Sequence, residues 1–310
     1  MSYLRGRQSK PRPYVPIVGQ LAANVSQLPP EIFLSNATQQ TNALQSSQRL
    51  FESDVVFTGV DTALLAEALG ASVEWDAATE QFETAEPIVS SDAVSDPTTV
   101  TNRGRVPTVI DVGERLVSSL DEPLVVGVVP GPLTTIETTF GNAAALDAEY
   151  TKPVRTAIGE LGRAFGKAGV DAILVYEDVG QLNGGEAAEA IVETLQVLDN
   201  ITGFYDTPLM LAPNGYDETT VDIVLDQGEP AAALLDTDDP AAVAVEHPDV
   251  RIGGGITANL LDAEPSEITA RVEERCRDLP ASAFLASGRE LPSDVHPNAL
   301  HAVREGYTDA

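Results

Sequence analysis

A (β/α)₈ TIM barrel with an insertion after the second strand is the fold class the sequence predicts, on three observations. Short apolar runs alternate with helix-like segments about eight times along 310 residues, and such a barrel takes roughly 250 residues or more. The runs are apolar nearly throughout, as strands buried on both faces of a parallel sheet are. Polar residues or glycines recur where each run stops, the end at which an α/β fold keeps its chemistry. A doubly wound open sheet is the competing arrangement.

The first run is YVPIV at 14–18, followed by Gly19 and Gln20. VVFT at 55–58 comes next; Gly59, Val60 and a lone acid, Asp61, lead into the helical pattern TALLAEALG, closed by Gly70. Residues 75–105 are rich in Asp, Ser, Thr and Glu with little periodicity, and read as the insertion. LVVGVV at 124–129 ends in Pro130, Gly131 and Pro132. TKPVRTAIGELGRAFGKAG then reads as a helix with Pro153 near its start and Gly169 at its end. AILVY at 172–176 leads to Glu177 and Asp178, before the helix EAAEAIVETLQVLDNI. PLMLA at 208–212 ends at Pro213 and Asn214, and AALLD at 232–236 ends at Asp236. VRIGGG at 250–255 closes on three glycines, Gly254 in the middle. After the helix PSEITARVEERCRDL, SAFLAS at 282–287 ends at Gly288 and Arg289. No repeat or linker interrupts this order, so 1–310 reads as one barrel domain.

Forty-eight acids stand against 18 bases, a net charge of −30, and the only lysines are Lys10, Lys152 and Lys167. Such self-repulsion keeps a protein soluble in concentrated salt and weakens it in dilute salt, so the acidity reads as adaptation to a salty cytoplasm. It argues against nucleic acid, which needs clustered Lys and Arg, and against an anionic membrane surface. LRGRQSKPR near the N-terminus is the one basic cluster. The single Cys276 excludes an intramolecular disulfide and a multi-cysteine metal site. MSYLRGRQSK has no apolar run after its basic start, unlike a signal peptide, and PLVVGVVPGPL is too short to span a bilayer. The expectation is a soluble, cytoplasmic protein.

Five segments carry a resemblance: VVFTGVDTALLAEALGASVEW, VVGVVPGPLTTIETTFG, FGKAGVDAILVYED, RIGGGITANLL and FLASGRELPSDVHPNALHAVREGY. In this order and spacing, the acid before EALG, the GPxT after the third run and the proline-rich close resemble the uroporphyrinogen decarboxylase superfamily. That superfamily also holds the corrinoid-dependent methyltransferases and, more distantly, cobalamin-independent methionine synthase. The resemblance implies a barrel with a deep cleft at the strand C-termini, often a homodimer. For a decarboxylase it implies catalysis without a cofactor, with the acid at Asp61 holding the pyrrole rings as a carboxylate leaves.

Other positions depart from the pattern. Gly19 and Ala23 stand where the decarboxylases carry arginines, while Gln20 is kept. Thr138 replaces a Tyr, Asp178 a Ser and Gly288 a His. The loss of arginine matters most, because a polycarboxylate is held by guanidinium groups in bidentate pairs. The methyltransferase branch holds zinc with an H-x-C pair and a later Cys; those positions read Ala212, Asn214 and Arg289, so that zinc site is absent.

Asp61 has two readings: a helix cap, or the catalytic acid at the barrel mouth. Gln20, Asp178, Asn214, Gly254 and Arg289 are the candidate substrate contacts, Arg289 orienting a single carboxylate. The glycine run fits a tight turn better than a phosphate site. Glu177 and Asp178 read as a solvated acid pair, His296 as part of a turn, and His247 and His301 as surface or helix residues. The leading expectation is a lyase acting without cofactor or metal on a tetrapyrrole or related ring carboxylate. The alternatives are a metal-free methyltransferase-like protein binding a corrinoid or methyl carrier, and a non-catalytic subunit pairing with an active paralogue. A homodimer or a heteromer with that paralogue is the expected assembly.

Overall fold

In the computed structural model of the chain, residues 12–141, 146–179, 184–277 and 279–309 are described. All eight apolar runs form strands of one parallel sheet. In chain order they are β1 (Tyr14–Ile17), β2 (Val55–Phe57), β5 (Leu124–Pro130), β6 (Ala172–Asp178), β7 (Leu209–Asn214), β8 (Ala232–Leu234), β9 (Arg251–Gly255) and β10 (Ala283–Glu290). Two further strands, β3 (Ser72–Asp76) and β4 (Gln81–Glu86), form a separate antiparallel hairpin. The large sheet runs β1-β10-β9-β8-β7-β6-β5-β2, so β1 and β2 are its two ends. They meet without a ladder among the described residues. Asp54 instead bridges them: its N–H donates to the Tyr14 carbonyl (3.0 Å), and its Oδ2 accepts from the Tyr14 N–H (2.7 Å). The result is a nearly closed (β/α)₈ barrel.

Period-two alternation explains why the runs look apolar throughout. One set of side chains, Val15, Ile17, Val55, Phe57, Val126, Val128, Leu174, Met210, Leu234 and Phe284 among them, packs inside the barrel. The other set, including Val56, Val125, Val129, Ile173, Val175 and Leu211, faces the surrounding helices. Gly253 supplies the small partner inside: a Cβ there would lie 2.7 Å from the Phe284 ring. The helix Ala148–Ala168 begins three residues before the expected start, and Gly169, at φ +82°, ends it as expected. No described helix is long and apolar enough to cross a membrane. Most of the basic N-terminal cluster lies outside the described residues.

The insertion is more ordered than its composition suggests. Trp75 and Phe82 meet edge to face across the hairpin, with ring centroids 5.2 Å apart. Thr84 Oγ1 donates to the Thr138 carbonyl (2.7 Å), and Gln20 Nε2 donates to the Glu80 carbonyl (2.8 Å). The hairpin turn is thereby fastened over the C-terminal end of the barrel.

Candidate active site

Beneath that turn lies a cleft of about 530 Å³, walled by Gln20, Val60, Thr62, residues 77–81, Tyr176, Asp178 and residues 289–294. Strand ends from opposite parts of the sequence meet here, as barrel geometry requires. Arg289 reaches from the end of β10 to Asp178 of β6 and to Asp236 just beyond β8, at 3.2 Å in each case. All three side chains are more than 40% exposed, and ion pairs this open contribute only about 0–1 kcal/mol. A ligand carboxylate can therefore take the place of either aspartate at small cost.

Glu290 follows Arg289 and turns into the half-buried wall. Its Oε1 accepts the Gln20 N–H (2.9 Å), and a Cβ on Gly19 would lie only 1.5 Å from that oxygen. Gly19 thus leaves the space this carboxyl fills. A larger side chain at Gly19 therefore has no room unless Glu290 moves, and Ala23 is fully buried. Burial pushes the Glu290 carboxyl up to about 8; the Gln20 N–H opposes the shift and the nearby Asp61 charge adds to it. At neutral pH the group is mainly a carboxylic acid.

Glu177 and Asp178 are adjacent but face opposite ways, and the expected solvated pair is divided. Asp178 faces the mouth. Glu177 is fully buried against the start of the helix Pro132–Phe140, where it accepts from the backbone N–H groups of Leu133 (3.1 Å) and Thr134 (2.7 Å) and from the Thr134 hydroxyl. Gly131 permits this approach, since a Cβ there would sit 2.1 Å from Glu177 Cδ. Burial nevertheless pushes Glu177 up to about 7 against these bonds.

The two carboxyls set a pH dependence. Both folded values stand above the ordinary 4.5, so between about 4.5 and 8 the folded chain holds protons the unfolded chain has released. Their contribution to stability is complete below pH 4.5 and is lost as pH rises through the folded values. Urea midpoints in multimolar KCl, where surface charge is screened, are expected to fall from pH 5 to pH 9 by a few kcal/mol in stability. Glu177→Gln should flatten the slope. A midpoint that rises over this range would contradict the burial described.

Asp61 is not free. Arg105 holds it in a fork, Nε to Oδ2 at 2.9 Å and Nη2 to Oδ1 at 3.2 Å, and the Ala63 N–H donates to Oδ1 (3.2 Å). The helix that follows is Leu64–Leu69 with Ala63 at its cap position, so the Ala63 contact is a turn rather than a cap. Arg105 also pairs with Glu67 (3.0 Å) and lies over the Phe82 ring, 3.7 Å from its centroid. Asp61 thus lies behind the wall formed by Val60 and Thr62, held by an arginine that stacks on Phe82 next to the turn of the hairpin.

The other candidates are placed as follows. Gln20 lines the cleft with its amide nitrogen committed to Glu80. Asn214 is buried and donates across the barrel to the Gly288 carbonyl (3.1 Å). Gly254 packs outward; a Cβ there would meet Thr237 and Pro240, at 2.9 and 3.0 Å. Arg275 donates to the carbonyl of Gly255, which has φ +93°, in keeping with a turn. His296 accepts the Asn298 N–H in the turn before the last helix. His301 packs against Phe51. His247 departs from expectation: it is buried, between Asp226 (2.9 Å) and Asp222 (3.2 Å).

The chain matches the uroporphyrinogen decarboxylase family, URO-D, over residues 34–308. It belongs to that family. Among solved structures it is similar to a methyltransferase from Methanosarcina mazei, with TM-score 0.85 and 15% identity over 99% of this chain and 96% of that one. A putative vitamin-B12 independent methionine synthase from Listeria monocytogenes aligns at TM-score 0.57 and 12% identity, covering 96% of both chains. A B12-independent methionine synthase from Shewanella sp. W3-18-1 gives 0.51 and 11%, over 88% and 87%. These likenesses are of fold. Among curated protein sequences no match is found.

Within this family frame, the positions that would hold zinc do not fit the metal. Ala212 has no donor atom, Asn214 directs its amide N–H at a carbonyl, and Arg289 brings a cation. The decarboxylase histidine position is closed as well. A Cβ on Gly288 would lie 2.1 Å from the Asp236 backbone nitrogen and 2.2 Å from the Leu235 carbonyl carbon. Gly288→Ala is expected to cost about 1–3 kcal/mol by overpacking, measured by chemical denaturation. An unchanged midpoint would mean that the β8 end yields freely.

Proposed function

We propose that the chain is a decarboxylase-type lyase of the URO-D family, working without a cofactor on a small ring or enolisable monocarboxylate. The observation that carries this reading is Glu290, a half-buried carboxyl raised to about 8, next to the guanidinium of Arg289 in one cleft. Arg289 binds the substrate carboxylate. Loss of carbon dioxide leaves an electron pair on carbon, and Glu290 supplies the proton that completes the product, then regains one from solvent. An acid of this kind works best when its pKa lies near the operating pH. Asp61 acts through Glu290, its negative charge helping to keep that proton in place.

The substrate class follows from charge. Glu80, Asp178 and Asp294 surround the cleft and Arg289 is the cation among its lining residues, so a ligand with several carboxylates meets repulsion with too few guanidinium partners. The experiment is release of labelled carbon dioxide in multimolar KCl under anaerobic conditions. Benzoylacetate and a pyrrole monoacetate represent the proposed class, and uroporphyrinogen represents the polycarboxylates. Release from the monoacids above the buffer rate, with uroporphyrinogen the poorer substrate, is expected. Release from none of the monoacids would sink the reading.

A further inference from the structure

We propose that Tyr176 binds the substrate oxygen onto which the electron pair of the breaking bond moves, so that the cleft selects carboxylates bearing a nearby carbonyl oxygen. This rests on the decarboxylase reading and adds a residue and a substrate feature to it.

Tyr176 follows Ala172 and Leu174 in the inward-facing column of β6. Its ring therefore rises through the barrel interior and ends among the residues lining the cleft. The side chain is almost wholly buried. Its hydroxyl oxygen accepts a long bond from the Glu290 N–H (3.4 Å), while its own proton has no acceptor among the described residues. A buried donor left without a partner is costly, and a cleft-lining hydroxyl finds that partner in whatever occupies the cleft. Burial raises the phenol well above its ordinary value, with the charge of Glu290 adding to the shift. It therefore keeps its proton throughout the working pH range and serves as a donor, not a base. Glu290, Asp178 and Arg289 all act on it electrostatically, which places carboxylate anchor, proton donor and hydroxyl around one space.

The balance of the step explains why such a donor is needed. The bond between the substrate carbon and its carboxylate breaks, carbon dioxide leaves, and the electron pair moves into the carbonyl beside that carbon. The product is an enolate, and its oxygen takes the Tyr176 hydrogen bond. Glu290 then protonates the carbon and becomes a carboxylate, which solvent reprotonates. No oxidant or reductant enters. A pre-placed donor at the oxygen where charge develops contributes most in the transition state.

Two probes separate this proposal from the reading it rests on. Benzoylformate and phenylacetate share a ring and a carboxylate; only the first has a carbonyl next to the carboxylate, and this cleft has no route to decarboxylate either. By calorimetry in multimolar KCl, the wild-type chain is expected to bind benzoylformate about tenfold tighter than phenylacetate. Tyr176→Phe keeps the ring, and should bind both alike with phenylacetate affinity unchanged. Wild-type chain that binds the pair equally or binds neither, or a Phe variant that still discriminates, overturns the proposal. With benzoylacetate as substrate, the Phe variant should lose about 10²–10³ in kcat with little change in KM. Discrimination without any carbon dioxide release would keep the Tyr176 assignment as a binding residue and remove the decarboxylase reading. Release with kcat unchanged in the Phe variant would do the reverse.

Discussion

Glu290→Gln is expected to reduce carbon dioxide release by about 10²- to 10⁴-fold, the usual worth of a positioned general acid. Glutamine is close in shape, so its amide oxygen can still accept the Gln20 N–H over Gly19; what it cannot do is give up a proton to carbon. The loss should therefore appear in kcat, with KM nearly unchanged because Arg289 still holds the carboxylate. The pH profile adds a second signature. Wild-type activity should fall as pH rises through about 8, where Glu290 loses its acid form, and the residual activity of the Gln variant should lack that limb. A variant with wild-type kcat would show that the proton comes from elsewhere.

Arg105→Ala is expected to have the largest effect on stability. Arg105 is 8% exposed and serves two carboxylates at once, Asp61 and Glu67, while stacking on Phe82. Removing it leaves two inward-turned acids without a counter-charge, and breaking a buried pair from one side costs about 3–5 kcal/mol. Asp61→Asn in the same chain removes part of the stranded charge. The double variant should then be more stable than the sum of the single losses, a coupling that urea unfolding measures directly. Limited proteolysis should cut the hairpin first in Arg105→Ala, since the arginine joins the hairpin to the start of the helix Leu64–Leu69. Full stability in Arg105→Ala would mean that the pair is replaced by solvent at no cost.

The barrel strands were legible because burial on both faces leaves uninterrupted apolar runs, and because glycine or proline marks their ends. The hairpin β3–β4 was not. SVEWD and QFETAE are half-exposed and acidic, and their only apolar members are Val73, Trp75, Phe82 and Ala85, too few to stand out in a chain of this composition. Within the site, the position of Asp61 at a strand end could be read locally. Its partner lies 44 residues later, and an ion pair across that distance leaves no local pattern. Glu290 was hidden because β10 continues for three polar or glycine residues beyond its apolar run. The two-residue period of β6 held a usable signal: Tyr176 and Asp178 share the inward side, which puts Glu177 on the other, against a helix N-terminus.

The join between β1 and β2 bears on how anything enters. It is fastened near the lower rim by the Asp54 bridge to Tyr14, while Gln20 and Thr62, just above the two strand ends, flank the cleft. Among the described residues, seven of the eight strand contacts in the ring are ladders. At the eighth, among the described residues, side-chain packing and the Asp54 bridge stand in for a ladder. The doorway thus stands above the one seam that no backbone ladder closes among the described residues, and the tie across that seam is a single aspartate at the opposite rim.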